Sequence, residues 1–264
     1  MQKRLQHKKI IVTGASGGIG EKLCWHIAKN GGIPIMIARS TEKMKQMQEE
    51  MKQTLDAVSY FYTADLLRDI QIDETMGRLF EEHGRIDALI NNAGMGVFDY
   101  IKDMKWEDAH RMMQLNVTAL FRITKLVLHH MGGSGPAHIV NIASQAGKIS
   151  TPKSAVYSAS KHAVIGFTNT LRQEVRAEGI FVTCVNLGPV KTNFFDTADA
   201  EGSYRKSVER YMLEPDRVAE KIVKTLFSPR REINLPWWME AGSILYRLAP
   251  GPMEAILKSQ FNKK

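Results

Sequence analysis

Apolar residues along the chain gather into short runs that recur at roughly 25–50 residue spacing, the pattern of alternating strands and helices. The runs 9–13 (KIIVT), 33–38 (IPIMIA), 57–62 (AVSYFY), 87–91 (DALIN), 138–143 (HIVNIA), 180–186 (IFVTCVN) and 231–235 (REINL) have strand length. Several are apolar throughout, as parallel strands covered on both faces must be. The longer segments 108–130, 155–178 and 215–227 show helical periodicity, with Pro215 at a helix start and Gly179 at a helix end. This alternation predicts βαβ units, right-handed crossovers and an α/β, doubly wound, mostly parallel sheet with helices on both faces. No linker, repeat or low-complexity stretch divides residues 1–264, so a single domain is expected.

Two late segments depart from the alternation. Residues 191–212 lie between a strand and a helix and are too long for a tight connection, which suggests a lid or binding loop. The tail 236–264 carries Trp237-Trp238 and an amphipathic run broken by Pro250 and Pro252.

Of the 264 residues, 44% are hydrophobic and 24% charged, enough for a sizeable core in a soluble protein. No apolar run approaches the ~18 residues that span a bilayer. The basic start MQKRLQHKKI passes directly into IIVTG, with no signal-peptide apolar region, and Cys24 and Cys184 are far apart and lack metal-ligand spacing. A cytoplasmic protein with reduced, buried thiols and no metal is expected. The net charge of +8 is scattered, with no run of five or six like charges, so no nucleic-acid partner is expected.

Chemistry enters at TGASGGIG, residues 13–20, where the first strand meets a helical pattern. Glycines at 14, 18 and 20 permit a tight turn that presents backbone N–H groups and a helix N-terminus to a pyrophosphate. Such glycines also serve ordinary turns; position after the first strand favours a dinucleotide. The Gly-Lys-Ser/Thr ending of an ATPase loop is absent. At the end of the second strand, Ile37-Ala38-Arg39-Ser40 offers no carboxylate for a ribose 2′-hydroxyl before Glu42. The planar guanidinium of Arg39 suits a 2′-phosphate, so NADP is favoured over NAD. The alternative is a solvated arginine at a helix start.

Read together, TGASGGIG (13–20), Ala64-Asp65-Leu66, NNAG (91–94), Asn116, Ser144 and Tyr157-x3-Lys161 make the chain resemble the short-chain dehydrogenase/reductase family over about residues 8–235. The resemblance implies a seven-stranded Rossmann-type sheet with a nicotinamide cofactor over its C-terminal edge. It implies cofactor contacts from Gly14, Ser16, Gly18, Ile19, Gly20, Arg39, Ser40, Asp65, Asn91, Ala93, Gly94, Tyr157, Lys161, Gly188, Val190 and Thr192, with Asp65 toward the adenine and Asn91–Gly94 toward the ribose side. Asn116, Ser144, Tyr157 and Lys161 would be the catalytic set, Lys161 also bonding the ribose and Asn116 holding a water. A homo-oligomer is expected. The family often has Pro-Gly where this chain reads Leu187-Gly188, and many NADP users carry a basic residue where Gly17 stands.

A carbonyl that gains a hydride must gain a proton on oxygen, and an ordinary tyrosine, with a pKa of about 10, is a poor base for the reverse step. Positions i and i+4 share a helix face, so Lys161 can approach the Tyr157 phenol. Two unit charges about 4 Å apart at an effective dielectric near 20 interact by about 4 kcal/mol, or roughly 3 pKa units, so a lowered Tyr157 is expected. Ser144 would hold the substrate oxygen near it.

An NADP-dependent oxidoreductase acting on a small-molecule carbonyl or alcohol is therefore the leading reading. A nucleotide-sensing binding protein would be expected to lose the tyrosine or lysine, and both are here; an NAD-dependent alcohol dehydrogenase is the other alternative. Membrane contact through Trp237, Trp238, Ile244, Leu245 and Leu248 is weighed against packing of the tail on its own domain, over the substrate site or in a homo-oligomer, which is favoured. Phe194, Phe195 and Tyr204 hint at an apolar substrate.

Overall fold

Seven strands, β1 (Lys9–Thr13), β2 (Ile33–Ala38), β3 (Tyr60–Thr63), β4 (Ala88–Asn91), β5 (Ala137–Ser144), β6 (Ile180–Leu187) and β7 (Glu232–Leu235), pair side by side in the order β3-β2-β1-β4-β5-β6-β7. Every pairing is parallel, with registers such as Ile11↔Ile35 and Ile90↔Val140. The computed structural model describes residues 5–133, 135–199 and 202–261. Eleven α-helices are described: α1 (Gly18–Lys29), α2 (Thr41–Leu55), α3 (Asp69–His83), α4 (Trp106–Met113), α5 (Leu120–Leu128), α6 (Ala155–Glu174), α7 (Phe194–Ala198), α8 (Ser203–Val208), α9 (Pro215–Thr225), α10 (Trp237–Leu248) and α11 (Pro250–Phe261). Among the described residues, no helix is long and apolar enough to cross a membrane.

Strand alternation builds two cores, one on each face of the sheet. Ile10 and Val12 face Leu23 and Ile27 of α1, Met44 and Met47 of α2 and Ile222 of α9. Ile11, Ile35, Ile37 and Leu89 face Met76 and Leu79 of α3, Ile123 of α5 and Leu171 of α6. The chain moves outward from β1 through β2 to β3, then returns to add β4 on the other side of β1. That reversal opens a crevice at the C-terminal ends of β1 and β4, where such sheets bind ligands.

Some elements differ from their sequence patterns. The third strand begins at Tyr60, not 57, because α2 ends in a left-handed Asp56 (φ 49) and residues 57–59 carry the chain to the sheet edge. The helix expected over 108–130 runs over 106–128 and contains a π-helical turn at Gln114–Ala119. Such turns frequently accompany functional sites. The 191–212 segment is closed at its base by a bridge between Val190 and Leu213 and carries the short helices α7 and α8. In the tail, Pro250 follows the end of α10 and itself opens α11. Trp237, Ile244, Leu245 and Leu248 of α10 point outward, whereas Ser243 is fully buried.

His138 on β5 is fully buried. Its Nδ1 accepts from the Phe227 N–H at 2.9 Å, and its Nε2 lies 2.9 Å from the Thr183 hydroxyl. Burial pushes its pKa down to about 3, so the folded chain holds it neutral. The unfolded chain binds a proton here below its ordinary pKa near 6.5 and the folded chain does not, so stability falls as pH drops from about 6.5 toward 3. Urea unfolding between pH 6.5 and 4 should show His138 contributing a slope of up to about 1.4 kcal/mol per pH unit. His138→Phe, less stable overall, should lose that share of the slope.

Candidate active site

The β1–α1 turn is packed against the end of β4 more closely than side chains would allow. Gly14 follows β1 with φ +65, and a Cβ there would stand 2.9 Å from Ala93 Cα. A Cβ on Gly20, in the first turn of α1, would fall 2.1 Å from the Gly14 carbonyl oxygen. Any larger residue would push the helix N-terminus off the strand loop. Thr13 fastens the two strand ends: its hydroxyl accepts the N–H groups of Asn92 and Ala93, both at 3.0 Å. Asn92 Nδ2 donates back to Thr13 O at 2.9 Å.

Around this junction lies a cavity of about 1200 Å³. Of the residues singled out in the sequence, Gly14, Ser16, Gly18, Ile19, Arg39, Ala93, Gly94, Ser144, Tyr157, Lys161, Gly188, Val190 and Thr192 line it. Gly20, Ser40, Asp65, Asn91 and Asn116 stand outside its lining. Gly20 serves packing, and Asp65 closes its own turn, with Oδ1 accepting from the Leu67 N–H at 3.1 Å. Asn91 turns into the core, where its amide donates to Thr124 Oγ1 and Asn141 Oδ1, each at 2.9 Å. Its neighbour Asn92 faces the cavity instead.

Asn116 sits in the π-helical turn, 1% exposed, and grips the backbone of Met95 from both sides. Its Oδ1 accepts the Met95 N–H and its Nδ2 donates to Met95 O, both at 2.9 Å, with Ser160 Oγ at 3.0 Å. A Cβ on Gly94 would meet Asn116 Oδ1 at 3.2 Å and Lys161 Nζ at 3.5 Å. The turn after β4, the π-helical turn and α6 therefore converge on Lys161.

Tyr157 and Lys161 are one turn apart on α6, and both are buried. Lys161 Nζ donates to Ile142 O at 3.0 Å and lies over the Tyr157 ring, 5.9 Å from its centroid. Burial lowers Lys161 to about 8, leaving it mostly charged at neutral pH. Burial also pushes Tyr157 up to about 12, with the neighbouring Ser144 hydroxyl acting in the opposite direction. The lowered phenol expected from a Coulomb argument is therefore corrected: that argument left out desolvation, which here dominates. Tyr157 is held in its protonated form. Ser144 ends β5, its hydroxyl donating to Leu187 O at 3.2 Å and accepting from the Ala146 N–H at 3.1 Å.

Beyond Tyr157 the cavity is walled by residues that the sequence pattern did not single out. Phe98, in a loop without periodicity, presents its ring edge-on to Tyr157 at 5.6 Å, and Met239 of α10 also lines the cavity. Lys43, in the first turn of α2, lines the opposite end with Arg39. A second basic residue so soon after Arg39 is a usable signal for Lys43; nothing local marks Phe98 or Met239.

Comparison with known proteins agrees with this architecture. The family described as short chain dehydrogenase matches residues 8–202. A protein named Dehydrogenase/reductase SDR family member 7B, from Xenopus tropicalis, is 30% identical over 98% of this chain and 87% of its own length. A short chain dehydrogenase from Burkholderia cenocepacia, solved in complex with NADP, superposes with a TM-score of 0.76 at 25% identity, covering 88% of this chain and 97% of its own. A Sphingobium yanoikuyae short-chain dehydrogenase solved with NADPH shares the fold at TM-score 0.80 and 24% identity, with 95% of each chain covered. The glycine turn folded onto β4, the Tyr157-Lys161 pair beside Ser144 and the match over most of the chain have one common explanation: the chain belongs to the short-chain dehydrogenase/reductase family of oxidoreductases.

Proposed function

We propose that this protein is an NADP(H)-dependent reductase of carbonyl compounds, or dehydrogenase of the corresponding alcohols, with Tyr157 as the general acid and base. The observation that carries this reading is one cavity holding a glycine cradle at one end and the buried Tyr157 and Lys161, with the half-buried Ser144, in its floor. The cradle fits a dinucleotide. At Gly14 and Gly20 a Cβ would collide with backbone, so the turn has the close-packed form that leaves N–H groups and the α1 N-terminus facing the cavity. Arg39 and Lys43 line that end, with Ser16 and Thr192, and would hold a 2′-phosphate and the diphosphate. Complexes of relatives with NADP and NADPH support the same choice.

When bound, the nicotinamide supplies the hydride for reduction or accepts it in oxidation, and its oxidised form carries a positive charge. The protein supplies the proton and the positioning. In reduction the substrate carbon gains the hydride, and the oxygen takes the Tyr157 proton; in oxidation the phenolate takes the alcohol proton back. Ser144 would turn its hydroxyl to the reacting oxygen and hold it there. Lys161 keeps a positive charge over the Tyr157 ring and stabilises the phenolate that proton donation leaves behind. Asn116 acts by fixing the Met95 backbone and the Gly94 turn beside Lys161.

Tyr157→Phe should lower turnover of any accepted carbonyl by at least about a thousandfold while leaving the NADPH dissociation constant within about twofold, by calorimetry. Residual turnover near wild type would refute the assignment. Arg39→Ala should weaken NADPH by about 10–100-fold and NADH hardly at all, since a charge-assisted bond contributes about 1.5–3 kcal/mol. Equal wild-type affinities for the two cofactors would refute the NADP preference. In the free protein Tyr157 stays protonated across the neutral range, and Lys161 loses its charge above about pH 8. The kcat/KM for carbonyl reduction should therefore be level from pH 6 to 7.5 and decline above pH 8 as Lys161 becomes neutral.

A further inference from the structure

The two ends of the cavity differ in charge. Of its charged lining residues, Glu21, Arg39, Lys43 and Glu50 stand on α1, α2 or just after β2, at the glycine-cradle end. Lys161 lies at the floor, and Lys191 is largely exposed and paired with Glu214 at 3.7 Å. Beyond Tyr157 charged side chains are absent among the described lining residues, and Phe98, Ile149, Phe194, Tyr204, Trp238 and Met239 supply most of the wall, with the neutral Thr151, Asn193 and Ser207 among them. Phe194 lies 5.8 Å from the Tyr157 ring, and Tyr204 lies 5.5 Å from the Phe98 ring in an edge-to-face contact. Rings in this arrangement offer a large apolar surface with the preferred aromatic geometry. A carboxylate or phosphate entering here would lose its water and find no unpaired cation among these described residues, which is costly.

One side of this chamber is α10, and α10 is docked by its polar side. Glu240 Oε2 accepts from Lys148 Nζ at 2.7 Å, and Ser243 donates to Glu240 O at 2.9 Å. Lys148 is itself buried, and it donates also to Glu232 at 2.6 Å and Asn234 at 3.1 Å on β7. Asn186 at the end of β6 completes the cluster, bonding Asn234 at 2.7 Å and Glu232 at 3.1 Å. Lys148 stands four residues after Ser144, so one ammonium ties the Ser144 turn, β7 and α10 together. Above this cluster Met239 rests on Gly188, where a Cβ would meet its sulfur at 2.6 Å. A buried lysine between two carboxylates holds only while every partner is present; without it, Glu232 and Glu240 repel in a desolvated site.

We infer that the chamber accepts bulky, uncharged carbonyl compounds with a ring system or long hydrocarbon body, and that α10, latched by Lys148, is the wall that selects them. The inference rests on the reductase reading. Lys148 acts as a positioning residue and touches none of the reacting atoms.

The test measures NADPH oxidation with biphenyl-4-carbaldehyde, acetaldehyde and 4-carboxybenzaldehyde, together with calorimetric binding of the biphenyl aldehyde to the NADPH-free chain. The expected order of kcat/KM places the biphenyl aldehyde at least a hundredfold above the other two. Lys148→Met should raise KM for it at least tenfold with kcat changed less than threefold, whereas Lys148→Arg should restore part of the loss. Met239→Glu, which needs no rearrangement of the buried cluster, should raise the same KM at least tenfold and carries the test if Lys148→Met does not fold. A preference for acetaldehyde or the carboxylated aldehyde, or variants with unchanged KM, would overturn the inference. If no aldehyde is reduced, the reductase reading fails, and binding decides the chamber alone. Binding of the biphenyl aldehyde that Met239→Glu weakens tenfold upholds it; no binding to the wild type overturns it.

Discussion

The site depends on the desolvation of two ionisable side chains one helical turn apart. Tyr157 and Lys161 are buried together at the C-terminal end of β5, and burial drives them in opposite directions. The phenol is held in its neutral, proton-bearing form, and the lysine is brought near the pH at which it loses its charge. A buried ammonium needs partners, and the Ile142 carbonyl provides one while the Tyr157 ring lies beneath it. The neighbouring elements are arranged to keep this pair dry and fixed. The π-helical turn brings Asn116 onto Met95, Gly94 leaves no room for a side chain between Asn116 and Lys161, and β6 ends beside Ser144.

Sheet topology places this pair beside the cradle. Because β4 returns to pair with β1, the glycine turn after β1 and the turn after β4 meet at one crevice, and β5 brings Ser144 alongside. The contacts are backbone on backbone, as at Gly14 and Ala93, so the cradle is set by the absence of side chains and not by their chemistry.

Central strands were readable because both faces are covered, leaving apolar runs that require no register to recognise. β3, at the sheet edge with Tyr60 exposed, is covered less completely, so its apolar run starts three residues before the strand does. The π-helical turn had no local signature, since it accompanies a contact between Asn116 and Met95, 21 residues apart. Tyr157 and Lys161 were readable because their spacing alone puts them on one face. Their pKa values were not, since burial is a property of the assembled core. Asn91 and Asn92 are adjacent and chemically alike, and only strand alternation decides which faces the cavity. Lys148 looked like any loop lysine: its carboxylate partners are 84 and 92 residues away. Phe98 and Met239 likewise reach the site only through tertiary packing.

If a buried Tyr157 is the proton-transfer group, its ionisation must respond to positive charge brought into the cavity. Ultraviolet difference titration of tyrosinate, wild type minus Tyr157→Phe, reads this directly with and without NADP in its oxidised form. The account predicts no Tyr157 signal below pH 10 in the free protein, and a tyrosinate band below pH 9 once the oxidised cofactor binds. A band that persists in Tyr157→Phe, or none at all with the cofactor bound, would contradict it.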